Sequence, residues 1–447
     1  MTNNLGFVNY SKYKIGIVTC LVSYLAYCLY ENFHKDQRKL NNVRNNRRYK
    51  TRGIKRTNGV TCYLNSIFLM LSNSISFIDY INNINQAKKD LLENGEVLYL
   101  PLHEFLHDVL IQLLTDKPEE SISNGLYISR EKIFCLEKIL NFSLLKQNDW
   151  LEVLEKIIHI LDKEKHMLTN ISAEQQSIAS PFQYNAKTST YCSKCKQQAE
   201  HGSQLNKQDD DNVFLLINLD FAYKKTEYKN SSLISLIEKS MYQQIEDYTC
   251  SYCTLKNYIL KTKDTTFDLK GICLNTDLRD TFNVDFTTKY QVKTTLIKRK
   301  DIIDYPRLIV FNLNRFAYNY SGISNRDTST YFNFDKEMIL NNTIYQLNTL
   351  VKHSGNAKIG GHYQVFNKKP VVLKERVDGE IKYRLKHTPV TEETKSLKNS
   401  KDIDLGDKLN KDYWLINDDN VKDKSLMLDI NPYDSNMIVG LVYERIT

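Results

Sequence analysis

Apolar residues recur along this 447-residue chain with two different periods, and the change from one to the other divides it. After Cys62 the run "YLNSIFLMLSNSISFIDYI" places Leu64, Ile67, Phe68 and Leu71 at helical spacing. "LHEFLHDVLIQLL" and "NDWLEVLEKIIHILDK" repeat the i, i+3, i+4 pattern, so residues 53–165 read as helical. Residues 178–295 read as strand-rich with helical punctuation, and 300–447 as alternating strands. Tyr345, Leu347 and Leu350, then Tyr363 and Val365, predict two strands joined by a Gly-containing loop, with His362 opening the second. Between Phe366 and Tyr413 lies an inserted stretch. Its "VVLKERVDGEIKYRLKH" predicts a hairpin turning at Asp378-Gly379, and the charged "TEETKSLKNSKD" after it predicts a flexible run. "NKQDDDN", residues 206–212, predicts a mobile loop.

The amino terminus follows neither period. Ile15 to Tyr30 carries no charge, with Lys12 and Lys14 before it and Glu31 and a basic tract after it. Sixteen residues as a helix span about 24 Å, slightly short of a hydrocarbon core of about 30 Å. Lys14 can snorkel, and Tyr24, Tyr27 and Tyr30 suit an interfacial belt. A cleaved signal peptide lacks a small-residue site in "YENFHKDQRK". A buried helix leaves the basic tract without a partner. A single-pass anchor over 15–33 explains both the apolar run and its flanks, after a short tail at 1–14. Residues 34–52 are then a basic tether, and the heavier positive charge on that side predicts a cytosolic carboxy-terminal part.

This segment also changes the meaning of the net charge of +8. Residues 1–60 hold twelve Lys and Arg against Glu31 and Asp36, a net of +10, which leaves the rest of the chain at −2. A slightly acidic globular part does not fit a nucleic-acid binder, so no nucleic-acid partner is expected. With 41% hydrophobic and 26% charged residues, global disorder is excluded.

Four of the nine cysteines form two C-x-x-C pairs, Cys192 and Cys195 in "YCSKC" and Cys250 and Cys253 in "YTCSYC". Paired knuckles suit tetrahedral Zn²⁺ in a structural ribbon; the bland alternatives are two unrelated pairs or a site that has lost its metal. A fifth cysteine has a different setting. In "TNGVTCYLNS", the turn at Asn58-Gly59 delivers Cys62 to a helix start, where the dipole and free N–H groups favour a thiolate. The bland reading is a small buried residue. A nucleophile would need a base: His362, beside Gly360 and Gly361, and His353 both qualify. "YWLINDDNV" downstream supplies Asn417, Asp418 and Asp419 to orient an imidazole.

Together these stretches resemble the ubiquitin-specific proteases, papain-like cysteine deubiquitinases. The resemblance is carried by Gly59, Thr61-Cys62-Tyr63 and Asn65-Ser66; by Gln147-Asn148-Asp149 with Glu152; and by "YPRLIVFNLNRF". It continues through Tyr345, His353, Gly355, Gly361, His362 and Tyr363, then Trp414 and Asn417-Asp418-Asp419-Asn420-Val421, and the closing "GLVYERIT". It covers about residues 53–447, and five or six boxes in order are a specific signal. It implies an α+β, papain-like fold with a helical thumb (about 53–165), zinc-ribbon fingers (about 178–295) and a β-rich palm (about 296–447, insertion 367–412), preceded by the transmembrane helix.

The same resemblance implies the chemistry. Cys62 is the nucleophile, His362 rather than His353 the base, and Asn417 the orienting residue with Asp418 as alternate. Asp149, Glu152 and Gly361 would meet the ubiquitin tail, and zinc on Cys192, Cys195, Cys250 and Cys253 would be structural, with no organic cofactor. Where the family places an oxyanion-holding Asn, this chain has Thr57, with Asn58 one residue later. Either can donate. That departure keeps a weakly active or inactive ubiquitin-binding scaffold as the alternative function. An anchor ahead of such a domain resembles the members fixed on the mitochondrial outer membrane, with the endoplasmic reticulum as the other location.

Overall fold

The computed structural model describes residues 51–114, 125–171, 178–199, 208–212, 216–220, 231–282, 289–318, 324–327, 330, 332–355, 360–377, 380–385, 401–404, 412–424 and 436–446. The apolar segment 15–33 and most of the basic tether lie outside the described residues, as do Asp378-Gly379 and most of the charged run after the hairpin.

Five helices make the first part: α1 (Cys62–Asn73), α2 (Ile75–Glu93), α3 (Pro101–Leu114), α4 (Arg130–Leu140) and α5 (Trp150–Ile171). The apolar run after Cys62 is not one helix. Ser74 is extended (ψ 118°), and its hydroxyl accepts from the N–H of Phe77 to cap α2, so the two axes meet at 84°. Glu444 locks this break to the far end of the chain by accepting from the Ser74 hydroxyl (2.9 Å) and the Ser76 N–H (2.6 Å). Among the described residues no single helix is long and apolar enough to cross a membrane.

The chain then builds β1 (Tyr184–Cys192), β2 (Gln208–Asn212), β3 (Leu216–Asp220), β4 (Ser231–Ser232), α6 (Leu233–Ser240), β5 (Tyr242–Thr249), α7 (Ser251–Thr262), α8 (Leu278–Phe282) and β6 (Lys293–Asp304). Strands β2-β1-β6-β5 form one antiparallel sheet with the four paired cysteines near one end. β2 falls in the run expected to be a mobile loop. It is an edge strand on β1, and the edge of a sheet is where charged residues such as its three aspartates are tolerated. Within the interval expected to form the fingers, β3 and α6 leave it. β3 pairs in parallel with a palm strand, and Leu236 and Ile237 of α6 pack into the palm core.

The interval expected to form the palm adds β7 (Leu308–Asn314), β8 (Phe316–Tyr318), β9 (Ser324–Arg326), β10 (Phe332–Asn333), β11 (Glu337–Leu340), β12 (Thr343–Ser354) and β13 (His362–Lys368). The insertion supplies β14 (Val371–Val377), β15 (Glu380–Leu385) and β16 (Lys401–Asp404), and the chain ends with β17 (Tyr413–Asn417), β18 (Asn420–Lys424) and β19 (Ile438–Arg445). The main sheet runs β18-β17-β13-β12-β19-β7-β3, with β11 paired to β12. It is buried on both faces. Leu308, Val310, Val351, Val365, Trp414 and Ile416 join the thumb helices in one core. Their strand neighbours Ile309, Phe311, Leu350, Phe366 and Tyr413 form a second core on the other face. With both faces covered, a strand such as β7 carries apolar residues at successive positions, Leu308 to Phe311. In the insertion, Val377 pairs with Glu380 across the expected turn, and Lys401–Asp404, partly within the run expected to be flexible, adds a third strand to that hairpin.

Candidate active site

Cys62 is the first residue of α1 and only 3% exposed. Its neighbours hold it in place. Tyr63 donates its hydroxyl to the Leu144 carbonyl at 2.6 Å and accepts from Asn148 Nδ2 at 2.9 Å. Asn65 Nδ2 donates to the Ile54 carbonyl (3.0 Å) and to Asp418 Oδ1 (3.2 Å). Thr61, the residue ahead of the helix, accepts from Thr57 N–H (2.9 Å) and does not cap its own helix. The first-turn N–H groups therefore have no side-chain cap, which suits an anion at this helix start.

His362 opens β13, and Asn417 closes β17, the antiparallel strand paired directly with it. Asn417 Oδ1 meets His362 Nε2 at 2.5 Å, and Asp418 Oδ2 lies 3.8 Å from the same nitrogen. Asn417 pairs with Asn420 across a two-residue turn in which Asp418 takes φ 53°. This left-handed position favours Asn and Asp and explains why "NDDN" turns so tightly. His362 Nδ1 is buried and holds no closed hydrogen bond, which leaves it for the thiol. The two groups sit close enough to shift each other. Burial pushes the Cys62 thiol up, but interaction with His362, the Tyr363 N–H and the imidazolium charge outweigh it, so the thiol lies below its ordinary 9.0; Asp418 opposes. The thiol, Asn417 and Asp418 raise His362 above 6.5 against the lowering effect of burial. The arrangement can hold a thiolate beside an imidazolium, as acyl transfer requires.

The competing histidine does a different task. His353 is 1% exposed, its Nε2 lies 3.0 Å from the Gly360 carbonyl, and its ring is packed by Phe316 and Tyr363. A side chain at Gly361 (φ 108°) would come within 2.4 Å of the Ser354 carbonyl and 2.8 Å of His353 Nε2, so glycine is required there. This brace delivers the exposed Gly361 and then His362 to the site.

Of the two residues expected at the oxyanion, Thr57 is buried and its hydroxyl donates to the Ile128 carbonyl at 2.7 Å, so it is committed elsewhere. Asn58 is exposed in a left-handed turn (φ 53°). Asp149 Oδ1 accepts from the N–H of Leu151 (2.9 Å) and Glu152 (3.3 Å), capping α5, and Glu152 is exposed in the first turn. Gln147, in the same box, lies against Gly360, so this helix start borders the loop before His362. Arg56 was not singled out from sequence. It binds Asp418 across 362 positions, and no local pattern announces such a pair.

The sulfurs of Cys192, Cys195, Cys250 and Cys253 all lie within 4.8 Å of one another. Cys192 and Cys253 are 3.9 Å apart and Cys195 and Cys250 3.7 Å, close to the edge of about 3.8 Å that a tetrahedron of Zn–S bonds of about 2.3 Å requires. Burial and the neighbouring thiols push Cys250 up, and Cys253 up to about 12. A divalent cation removes both costs, so the donor set fits a metal.

Residues 55–426 match the profile of a family described as ubiquitin carboxyl-terminal hydrolase. The chain is 22% identical to ubiquitin carboxyl-terminal hydrolase 16 of Saccharomyces cerevisiae, over 87% of this chain and 88% of that one. It is also 22% identical to ubiquitin carboxyl-terminal hydrolase 11 of Schizosaccharomyces pombe, over 70% and 73%. Among solved structures it resembles the SAGA Ubp8/Sgf11/Sus1/Sgf73 module bound to ubiquitin aldehyde (TM-score 0.51, 15% identity, 90% of this chain, 71% of that one). The same module bound to monoubiquitin gives a TM-score of 0.52 at 15% identity, over 90% and 70%.

Proposed function

The chain belongs to the ubiquitin carboxyl-terminal hydrolase family and is a cysteine-type deubiquitinase, and from that premise we propose how its residues carry out the reaction. The Cys62 thiolate attacks the carbonyl of ubiquitin's terminal glycine, in an isopeptide or peptide bond. His362 takes the thiol proton and returns it to the leaving amine. Asn417 fixes the ring through Nε2, which directs Nδ1 to the sulfur. The oxyanion is held by the Cys62 N–H with Asn58 as the side-chain donor, because the Thr57 hydroxyl is spent on Ile128. Water then releases ubiquitin from the acyl-enzyme, with His362 as base. The Asn417–His362 contact at 2.5 Å, beside a Cys62 thiol held below its ordinary range by His362, is the observation that carries this reading.

Ubiquitin is the partner the family implies, and the ubiquitin-bound Ubp8 structures support it. Glu152 and Gly361 are proposed to border its tail, and Asp149 to hold the helix that presents Glu152. Zinc on the four cysteines would be structural: all four donors are thiolates, so no position is left open for chemistry. The uncharged run Ile15–Tyr30 and its basic flanks support a membrane anchor with the catalytic part in the cytosol, on the mitochondrial outer membrane in preference to the endoplasmic reticulum.

The test is covalent capture. Ubiquitin bearing a carboxy-terminal electrophile should label the wild-type chain and not Cys62→Ser, and Cys62→Ser should not hydrolyse a ubiquitin fluorogenic substrate. Binding without labelling would favour a scaffold instead.

A further inference from the structure

Asp418 serves more than the imidazole. Its Oδ1 accepts from Asn65 of the nucleophile helix, and its Oδ2, 3.8 Å from His362 Nε2, also accepts from Arg56 Nε at 2.5 Å. The other arm of that guanidinium, Nη1, donates to the Gly59 carbonyl at 3.4 Å. One side chain therefore touches both the turn that leads into Cys62 and the hairpin that orients His362. Asn58 and Asp418, one on each side, both stand at φ 53°, a conformation that neighbouring contacts must sustain.

We propose that Arg56 is a positioning residue of the hydrolysis: it keeps the Asn58-Gly59 turn in register with the Asn417-Asp418 hairpin and shares the Asp418 carboxylate with His362. This rests on the assignment of Cys62, His362 and Asn417 above. An ion pair with one partner 40% exposed contributes little to stability, so its value lies in geometry and charge. The charged and titratable groups at the imidazole are Cys62 from α1 and Asp418 from the hairpin, with neutral Asn417 on Nε2; Arg56 acts through Oδ2. Asp418 raises the pKa of both His362 and Cys62. Without the guanidinium it acts on both undiluted.

The experiment uses the full chain, Arg56→Ala and Arg56→Lys, with a ubiquitin fluorogenic substrate across pH. For Arg56→Ala, kcat should fall roughly 10- to 100-fold with KM little changed, as for a misplaced catalytic group. Both limbs of the kcat/KM profile should move to higher pH. Added guanidinium ion, well below its denaturing range, should restore part of kcat to Arg56→Ala and none to wild type. Arg56→Lys keeps the charge without the two-armed reach, so its kcat should be lowered with limbs near wild type. Unmoved limbs in Arg56→Ala overturn the proposal, whatever the rate. If circular dichroism shows that variant unfolded, Arg56→Lys decides, and a wild-type kcat overturns it. A wild-type chain that the ubiquitin electrophile does not label instead removes the parent assignment, a separate outcome.

Discussion

At the scale of single residues, the site is a contest between burial and partnership at Cys62. Burial pushes the thiol up; His362 and the Tyr363 N–H outweigh it and bring the thiol below its ordinary range, and Asp418 pulls the other way on the sulfur while favouring the imidazolium. The sign of an Asp418→Asn change follows. Removing the carboxylate lowers both pKa values, so both limbs of the kcat/KM profile should move to lower pH; stationary limbs would show that Asp418 acts only as a tether. The neighbouring lock is neutral. Tyr63→Phe takes the hydroxyl donor from the buried Leu144 carbonyl, while the Asn148 amide keeps the Ser143 and Lys146 carbonyls, and should cost about 1–3 kcal/mol in urea unfolding. Cys62 was legible as a candidate from its turn and helix start, whereas the local pattern left His362 beside His353 and Asn417 beside Asp418, and the resemblance to the family's boxes made the choice. Thr57 was only half legible. Its type fits a donor, but its use by Ile128, 71 positions away, is a tertiary fact. Arg56 was not legible for the same reason.

Among elements, the main sheet meets the helices chiefly where α1 lies on β13 and β12, and at one further point where Gly440 of β19 faces Trp150 of α5. Trp150, at the start of α5, is 2% exposed, and a side chain at Gly440 of β19 would come within 2.6 Å of its ring. The glycine is there so that the indole can lie on the backbone. Gly440→Val should destabilise by roughly 1–3 kcal/mol through overpacking, and Trp150→Ala by about 3–5 kcal/mol through the cavity, both read by denaturant unfolding. A pairing this specific is invisible in periodicity, although both elements were expected: α5 from its i, i+3, i+4 pattern and β19 from the resemblance of "GLVYERIT" to the family's closing strand. What periodicity missed has a physical cause in each case. The helix break at Ser74 is imposed by Glu444 from the other end of the chain, since the apolar pattern continues through it. The acidic strand β2 has weak strand propensity and forms because β1 offers it an open edge. β3 lies inside the interval of the cysteine knuckles but pairs with β7, a choice set by topology.

For the whole molecule, two distant features should be separable from the chemistry. The four-cysteine cluster lies on its own small core with Ala199, Leu274 and Leu296, and it is built on the sheet β2-β1-β6-β5 and the start of α7. If the cluster holds zinc as proposed, elemental analysis should find zinc in the wild-type chain and none in Cys253→Ser, with a lower melting temperature for the variant. Alkylation of Cys62 by a small electrophile should continue, because no sulfur of that cluster takes part in the triad. The paired spacing made this site readable before any coordinates, since two C-x-x-C knuckles leave few other ways to satisfy four thiolates. The amino-terminal segment is separable in the same sense. The boxes that identify the family begin after it. If Ile15–Tyr30 is the anchor, a fluorescent fusion of the full chain should resist alkaline extraction from membranes, whereas a fusion lacking residues 1–34 should be recovered in the soluble fraction. Hydrolysis of the soluble ubiquitin substrate should be the same for both. A full-length fusion recovered as a soluble protein removes the anchor and leaves the catalytic assignment intact. A truncated form that has lost turnover would mean instead that the segment packs on the catalytic part, and that its apolar residues belong to the fold.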